Sequence, residues 1–132
     1  TIELNSTHYG IPAMSQVADW VQEVPSSFKF CLKFPQDISH RAHGLMDRET
    51  LRRWQHTLSA FGDNLGISWI QLPPYFDYSQ KALLHQFLEA WPAELPLAIE
   101  LRHSTWFQNG SVLQALAAYL RRKSIGLVIT DV

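Results

Sequence analysis

Five short β-rich runs, at about 1–7, 28–34, 67–72, 96–102 and 125–131, alternate with four amphipathic segments of helical length. Parallel strands joined by crossover helices are the packing solution for such alternation. In the first helix Val17, Trp20, Val21 and Val24 recur on one stripe, and Pro25 stops it. In the second, Asp47 is the expected N-cap and Leu51, Trp54, Leu58 and Phe61 face the core, up to Gly62 and Gly66. A third runs from Ser79 to Pro92 with Leu84, Phe87, Leu88 and Trp91 inward; a fourth follows Asn109 and Gly110 and buries Leu113, Leu116, Ala117 and Leu120. Trp20, Trp54 and Trp91 are expected in the core. The basic end Arg121, Arg122 and Lys123 complements the dipole of the fourth helix.

The strands carry different chemistry on their two faces, because successive side chains point to opposite sides. Ile2 and Leu4 oppose Glu3, Asn5 and Thr7. Phe28, Phe30, Leu32 and Phe34 oppose Lys29, Cys31 and Lys33. Leu97, Ile99 and Leu101 oppose Ala98, Glu100 and Arg102. Gln71 and Asp131 stand near the ends of the third and fifth strands. A doubly wound sheet buries both faces under helices, at a high cost for such a polar face. A (β/α)8 barrel turns that face inward and gathers its strand ends at the site. The expected architecture is therefore α/β of the TIM-barrel class, with residues 1–132 forming one domain. Five strands do not close that barrel, so this chain, which opens and closes inside strand-like runs, is expected to be an incomplete barrel cut from something longer.

Composition bears on partners. A net charge of −1 gives no footprint for nucleic acid or acidic membranes, and no run approaches a bilayer span. The lone Cys31 excludes a disulfide framework and a Cys-based zinc site, which fits a reducing compartment, by default the cytoplasm. No GxGxxG, Walker-type glycine loop or GxSxG occurs, so dinucleotide, P-loop and serine-hydrolase readings have no support.

The blocks "IELNSTHYGIP", "FKFCLKFPQDISH", "ISWIQLPPYF", "LAIELRHSTWF" and "ITDV" together resemble the ordered signatures of the YecE-like family, uncharacterised TIM-barrel proteins also called domain of unknown function 72. The resemblance covers essentially the whole chain. It implies the central portion of that barrel, without the first strand and the last two. The residues it carries over are Glu3, Asn5, Thr7, Tyr9, Lys33, His40, Gln71, Pro73, Pro74, Glu100, Arg102, His103, Trp106 and Asp131. His8 stands where the resemblance implies an aromatic.

Residue chemistry supplies three functional readings. The first is an enzyme acting on a small polar or anionic compound by acid–base or hydrolytic chemistry. Glu100 or Glu3 is its base and His40 its acid; Arg102 and Lys33 clamp the anion. Asn5, Gln71, Asp131 and Tyr9 complete substrate binding, with Trp106 covering the ligand. The second is a noncatalytic binding protein using the same pocket for an anionic metabolite or partner. The third is a metal-dependent phosphoesterase or nuclease, with Glu3, Glu100 and Asp131 joined by His40 or His103 around a divalent ion. Lys33 and Arg102 compete for those carboxylates, and HxH and HExxH spacings are absent, so no cofactor is expected. By strand parity His103 points away from the barrel axis. Pro73 and Pro74 stiffen the loop after Gln71, and Cys31 lies buried and inert one layer below Lys33.

Overall fold

The structure, a computed structural model, describes residues 1–129. In chain order it contains β1 (Ile2–Leu4), α1 (Met14–Gln22), β2 (Phe30–Leu32), α2 (Gln36–Ser39), α3 (Arg48–Ser59), β3 (Ser68–Gln71), α4 (Lys81–Ala90), β4 (Leu97–Glu100), α5 (Gly110–Lys123) and β5 (Gly126–Val128). The α/β alternation expected from sequence is present, and every described strand pairing is parallel. One short helix was not anticipated: α2 is a single turn led in by Pro35, whose fixed φ of −57° suits a helix entry.

The strands form two small parallel sheets, β1-β2 and β3-β4-β5, not one continuous ladder. Only isolated bridges, Phe30 with Leu65 and Lys33 with Trp69, join them. Four residue steps on one side thus span three on the other, and an extra residue breaks the ladder. Gly66 sits at that break because the chains nearly touch: a Cβ there would meet Cys31 Sγ at 2.8 Å and the Phe30 carbonyl at 3.0 Å. Its amide donates to the Phe30 carbonyl, and Phe34 N–H donates to the Trp69 carbonyl beyond, each at 2.8 Å.

Phe30, Leu32, Phe34, Ile70, Leu72, Leu97, Ile99 and Leu101 pack with Val17, Trp54, Leu58, Leu84, Phe87, Leu88 and Leu120 in one apolar core between strands and helices. The helical stripes therefore face the sheets, driven by apolar burial. Asp47 caps α3 as expected, accepting the Thr50 amide at 3.2 Å and its hydroxyl at 2.9 Å. Asn109 caps α5 by accepting from the Ser111 amide at 2.9 Å. Trp54 and Trp91 are core residues, but Trp20 is only half-buried, stacked on Phe30 and Phe61 at the margin of the core. Leu113, Leu116 and Ala117 are likewise half-buried, because α5 covers the β5 side, where the described sheet ends.

Candidate functional site

The register assigns the polar face. Glu3 pairs with Cys31, Lys33 with Trp69, Trp69 with Ala98, Gln71 with Glu100, and Glu100 with Val128. Partners in a parallel ladder project to the same side. Glu3, Cys31, Lys33, Trp69, Gln71 and Glu100 therefore share the face opposite the helical core. Cys31, expected to be buried, is half-buried. Glu100 is the most buried of them: it is 5 % exposed and accepts a 2.8 Å hydrogen bond at Oε2 from Gln71 Nε2. That bond compensates part of the cost of burying a carboxylate and fixes its orientation.

At the C-terminal ends of β1 and β2, two histidines from different loops meet. Thr7 Oγ1 lies 2.9 Å from the Leu4 carbonyl and 2.7 Å from the Lys33 carbonyl, which ties the turn Ser6–His8 to the end of β2. His8 Nδ1 is 3.2 Å from the Phe34 carbonyl. A carbonyl only accepts, so that nitrogen carries the proton and Nε2 is left free. His40 follows α2, and its ring meets that of His8 edge to face, with centroids 5.1 Å apart and planes at 84°. Ser39 Oγ donates to the Pro35 carbonyl at 3.4 Å and so accepts from His40 Nδ1 at 2.6 Å, again leaving Nε2 with its lone pair. Tyr75 Oη donates to the His40 carbonyl at 3.1 Å from the far side.

Burial first, and then the charges of His8, Lys33 and Arg102, hold the His40 imidazolium pKa below its ordinary 6.5. The neutral ring is the form this corner accommodates. The unfolded chain thus binds a proton that the folded chain resists. Stability gained from this group is present above pH 6.5 and is lost as pH falls through 6.5 toward the lower folded value. Unfolding midpoints in urea should fall across that window, and His40→Gln should flatten the fall; an unchanged slope in the variant would remove His40 from this role.

Arg102 lies just beyond β4 and is exposed, while Lys33 is half-buried at the end of β2; among the described residues neither forms an ion pair. His40 thus meets His8, with Lys33 and Arg102 near enough for their charges to act on its ring, and Gln71 bonds Glu100 on the polar strand face. Glu3 is exposed at β1 with no ion pair among the described residues. Asn5 and Tyr9 are exposed at the rim, Tyr9 at 78 % with its ring edge-on to His8. Asp131 lies outside the described residues.

The expectation for Trp106 needs correction. Trp106 is not a cover over a ligand: it is 2 % exposed, stacks on Phe76 and donates from Nε1 to the Phe76 carbonyl at 2.8 Å. The turn Ser104–Trp106 folds its ring into the core instead of over the mouth. His103 is a cap, with Nδ1 accepting the Thr105 amide at 3.2 Å. Of the residues in the metal reading, Asp131 lies outside the described ones, and among the described residues no group of three His, Cys, Asp or Glu is placed to hold an ion. His8 was missed as a site residue; its place in "NSTHYG", where an aromatic was expected, was the available signal.

Two hollows flank these elements. One of about 200 Å³ adjoins His40 and is walled by Ile38, Leu45, Pro73, Tyr75 and Phe76. The other, about 640 Å³, lies between α4 and α5 over Leu84, Leu88 and Leu116, on the helical side and away from the strand-end histidines. Among the described residues no helix is long and apolar enough to cross a membrane.

A family model described as "Protein of unknown function DUF72" matches residues 1–132. UPF0759 protein YecE of Escherichia coli (strain K12) is 31% identical over 130 residues, covering 98% of this chain and 48% of that protein. UPF0759 protein YunF of Bacillus subtilis (strain 168) is 24% identical over 123 residues, covering 88% of this chain and 44% of that protein. The chain thus spans about half the length of the curated relatives it matches. A crystal structure of a DUF72 family protein from Enterococcus faecalis V583 superposes with a TM-score of 0.83 at 26% identity, over 98% of this chain and 49% of that one. One from Thermotoga maritima MSB8, at 23% identity, gives 0.66 over 98% of this chain and 49% of that one, a likeness of fold.

Proposed function

Since the chain belongs to the DUF72 family of proteins of unknown function, we propose its activity from the groups at its strand ends: it binds a small anionic compound there and acts on it by acid–base chemistry. The observation that carries this reading is His40, a neutral imidazole with Nε2 free, held beside Lys33, Arg102 and His8. Two cations without an ion pair among the described residues suit a phosphate or carboxylate, and an anion drawn between them raises the proton affinity of His40. His40, protonated as the anion binds, then donates that proton to the bound compound and takes it back, within reach of an anchored anion. Gln71 and Glu100 form a polar floor that orients a hydroxyl or amine of the substrate.

The same reading takes the five strands as one arc of a (β/α)8 barrel. Support comes from their sequential order, from the bridges between the two sheets, and from the polar face the strands share opposite the helices. Catalytic residues of such barrels sit at the C-terminal ends of the strands, where these groups lie.

Calorimetry with inorganic sulfate, a dianion that does not itself titrate near pH 6.5, run in buffers of different ionisation enthalpy, tests the proposal. Binding at pH 6.5 should take up protons, and His40→Gln should abolish the uptake while retaining binding. Lys33→Ala and Arg102→Ala should each weaken binding about 10-fold or more, the scale of a lost charge-assisted hydrogen bond. Binding without proton uptake, or affinity indifferent to both cations, would overturn it.

A further inference from the structure

His40 belongs to two environments at once. Its ring meets that of His8, and the residue also lines the hollow of about 200 Å³. That hollow is largely apolar. Ile38, Leu45 and Phe76 are buried core residues, and Pro73 and Tyr75 add flat faces. Its polar and charged lining comes from Ser39, His40, Arg41, His43 and Gln80. Gly44 closes the back without a side chain, because a Cβ there would strike the Ile38 carbonyl at 2.2 Å. Tyr75 is 68 % exposed yet tied by its hydroxyl to the His40 carbonyl, which holds an aromatic ring at the entrance.

An apolar cavity of about 150 Å³ holds one benzene ring. Flat rings prefer aromatic walls at stacking distance, and a few polar atoms at the rim orient them. We propose that the compound bound at the strand ends carries its anionic group on a single flat six-membered ring, the ring seated in this hollow against Tyr75 and Phe76 and the anion on Lys33 and Arg102. Aryl phosphates and pyrimidine nucleoside monophosphates share this chemistry. The inference rests on the anion site proposed above and adds the size and shape of what the anion is attached to.

Four probes separate the possibilities on the full-length protein: inorganic phosphate, phenyl phosphate, uridine monophosphate and adenosine monophosphate, measured by calorimetry. Phenyl phosphate or uridine monophosphate should bind about 10-fold or more tightly than inorganic phosphate, the gain from burying one ring. Whichever of the two binds more tightly identifies the source of the ring. Adenosine monophosphate should bind no better than inorganic phosphate. Leu83→Phe, which fills the hollow from its half-buried wall, should erase the ring preference and leave phosphate affinity unchanged. Tyr75→Ala, at an exposed position that does not threaten folding, should reduce the same preference. Equal affinity for all four probes, or equal gains for uridine and adenosine monophosphates, overturns the ring proposal and leaves the anion site standing. No binding by any probe overturns the anion site and the ring proposal with it.

Discussion

Trp106→Ala should destabilise the protein by about 3–5 kcal/mol, the cost of removing a large aromatic from a packed core. The ring is 2 % exposed, lies parallel to Phe76 with an interplanar angle of 7° and centroids 6.0 Å apart, and meets Tyr78 edge to face at 5.5 Å. Its loss also leaves the Phe76 carbonyl without the 2.8 Å bond from Nε1. A neighbouring tie reinforces the contact, since Thr105 Oγ1 accepts from the Tyr78 amide at 2.9 Å. The loop after β4 is thereby clamped onto the loop after β3. With an m-value near 2 kcal/mol/M, the urea midpoint should fall by about 2 M. A variant of native stability that had lost only ligand affinity would restore Trp106 to the role of a cover.

Gly44→Ala should cost about 3 kcal/mol and disturb the site as well as the fold. The added Cβ would stand 2.2 Å from the Ile38 carbonyl oxygen and 2.7 Å from that of Asp37. Both obstacles are backbone of α2, so no side chain can swing away; the whole turn has to move. That turn follows His40 directly and is closed by the Gly44 amide donating to the Arg41 carbonyl at 3.0 Å. His43, just before it, already sits at a left-handed φ of 63°. The measurement is paired: denaturant unfolding for stability and NMR titration of the His40 ring. Displacement of His40 from burial and from its cationic neighbours should bring its pKa back toward 6.5. Wild-type stability together with an unaltered His40 titration would show that the turn does not position the ring.

The five strands and the four longer helices were legible because their signals are local. Period-two alternation in "LAIEL" and the stripe of Leu51, Trp54 and Leu58 in α3 report the burial of each element whatever it packs against. Asp47 and Asn109 marked helix starts for the same reason, as caps bond within their own turn. Parity also located one side for Glu3, Lys33, Gln71 and Glu100, which the register reproduces.

Loop residues past the strand ends escaped that logic. Trp106 and His103 stand in one short segment, and nothing in its composition distinguishes a ring turned over the mouth from one turned into the core. That outcome depends on Phe76 and Tyr78, which offered a stacking surface and a carbonyl. The pairing of His8 with His40 likewise depends on Thr7 bridging the ends of β1 and β2. Sequence alone determined the α/β alternation, the polar face and the cationic character of the strand ends, because backbone periodicity and side-chain chemistry are properties of short segments. Tertiary structure alone decided which loop side chains meet there, why the ladder breaks at Gly66, and that the His40 ring resists a proton more than a free imidazole does, because proximity and desolvation arise only when distant segments share one volume.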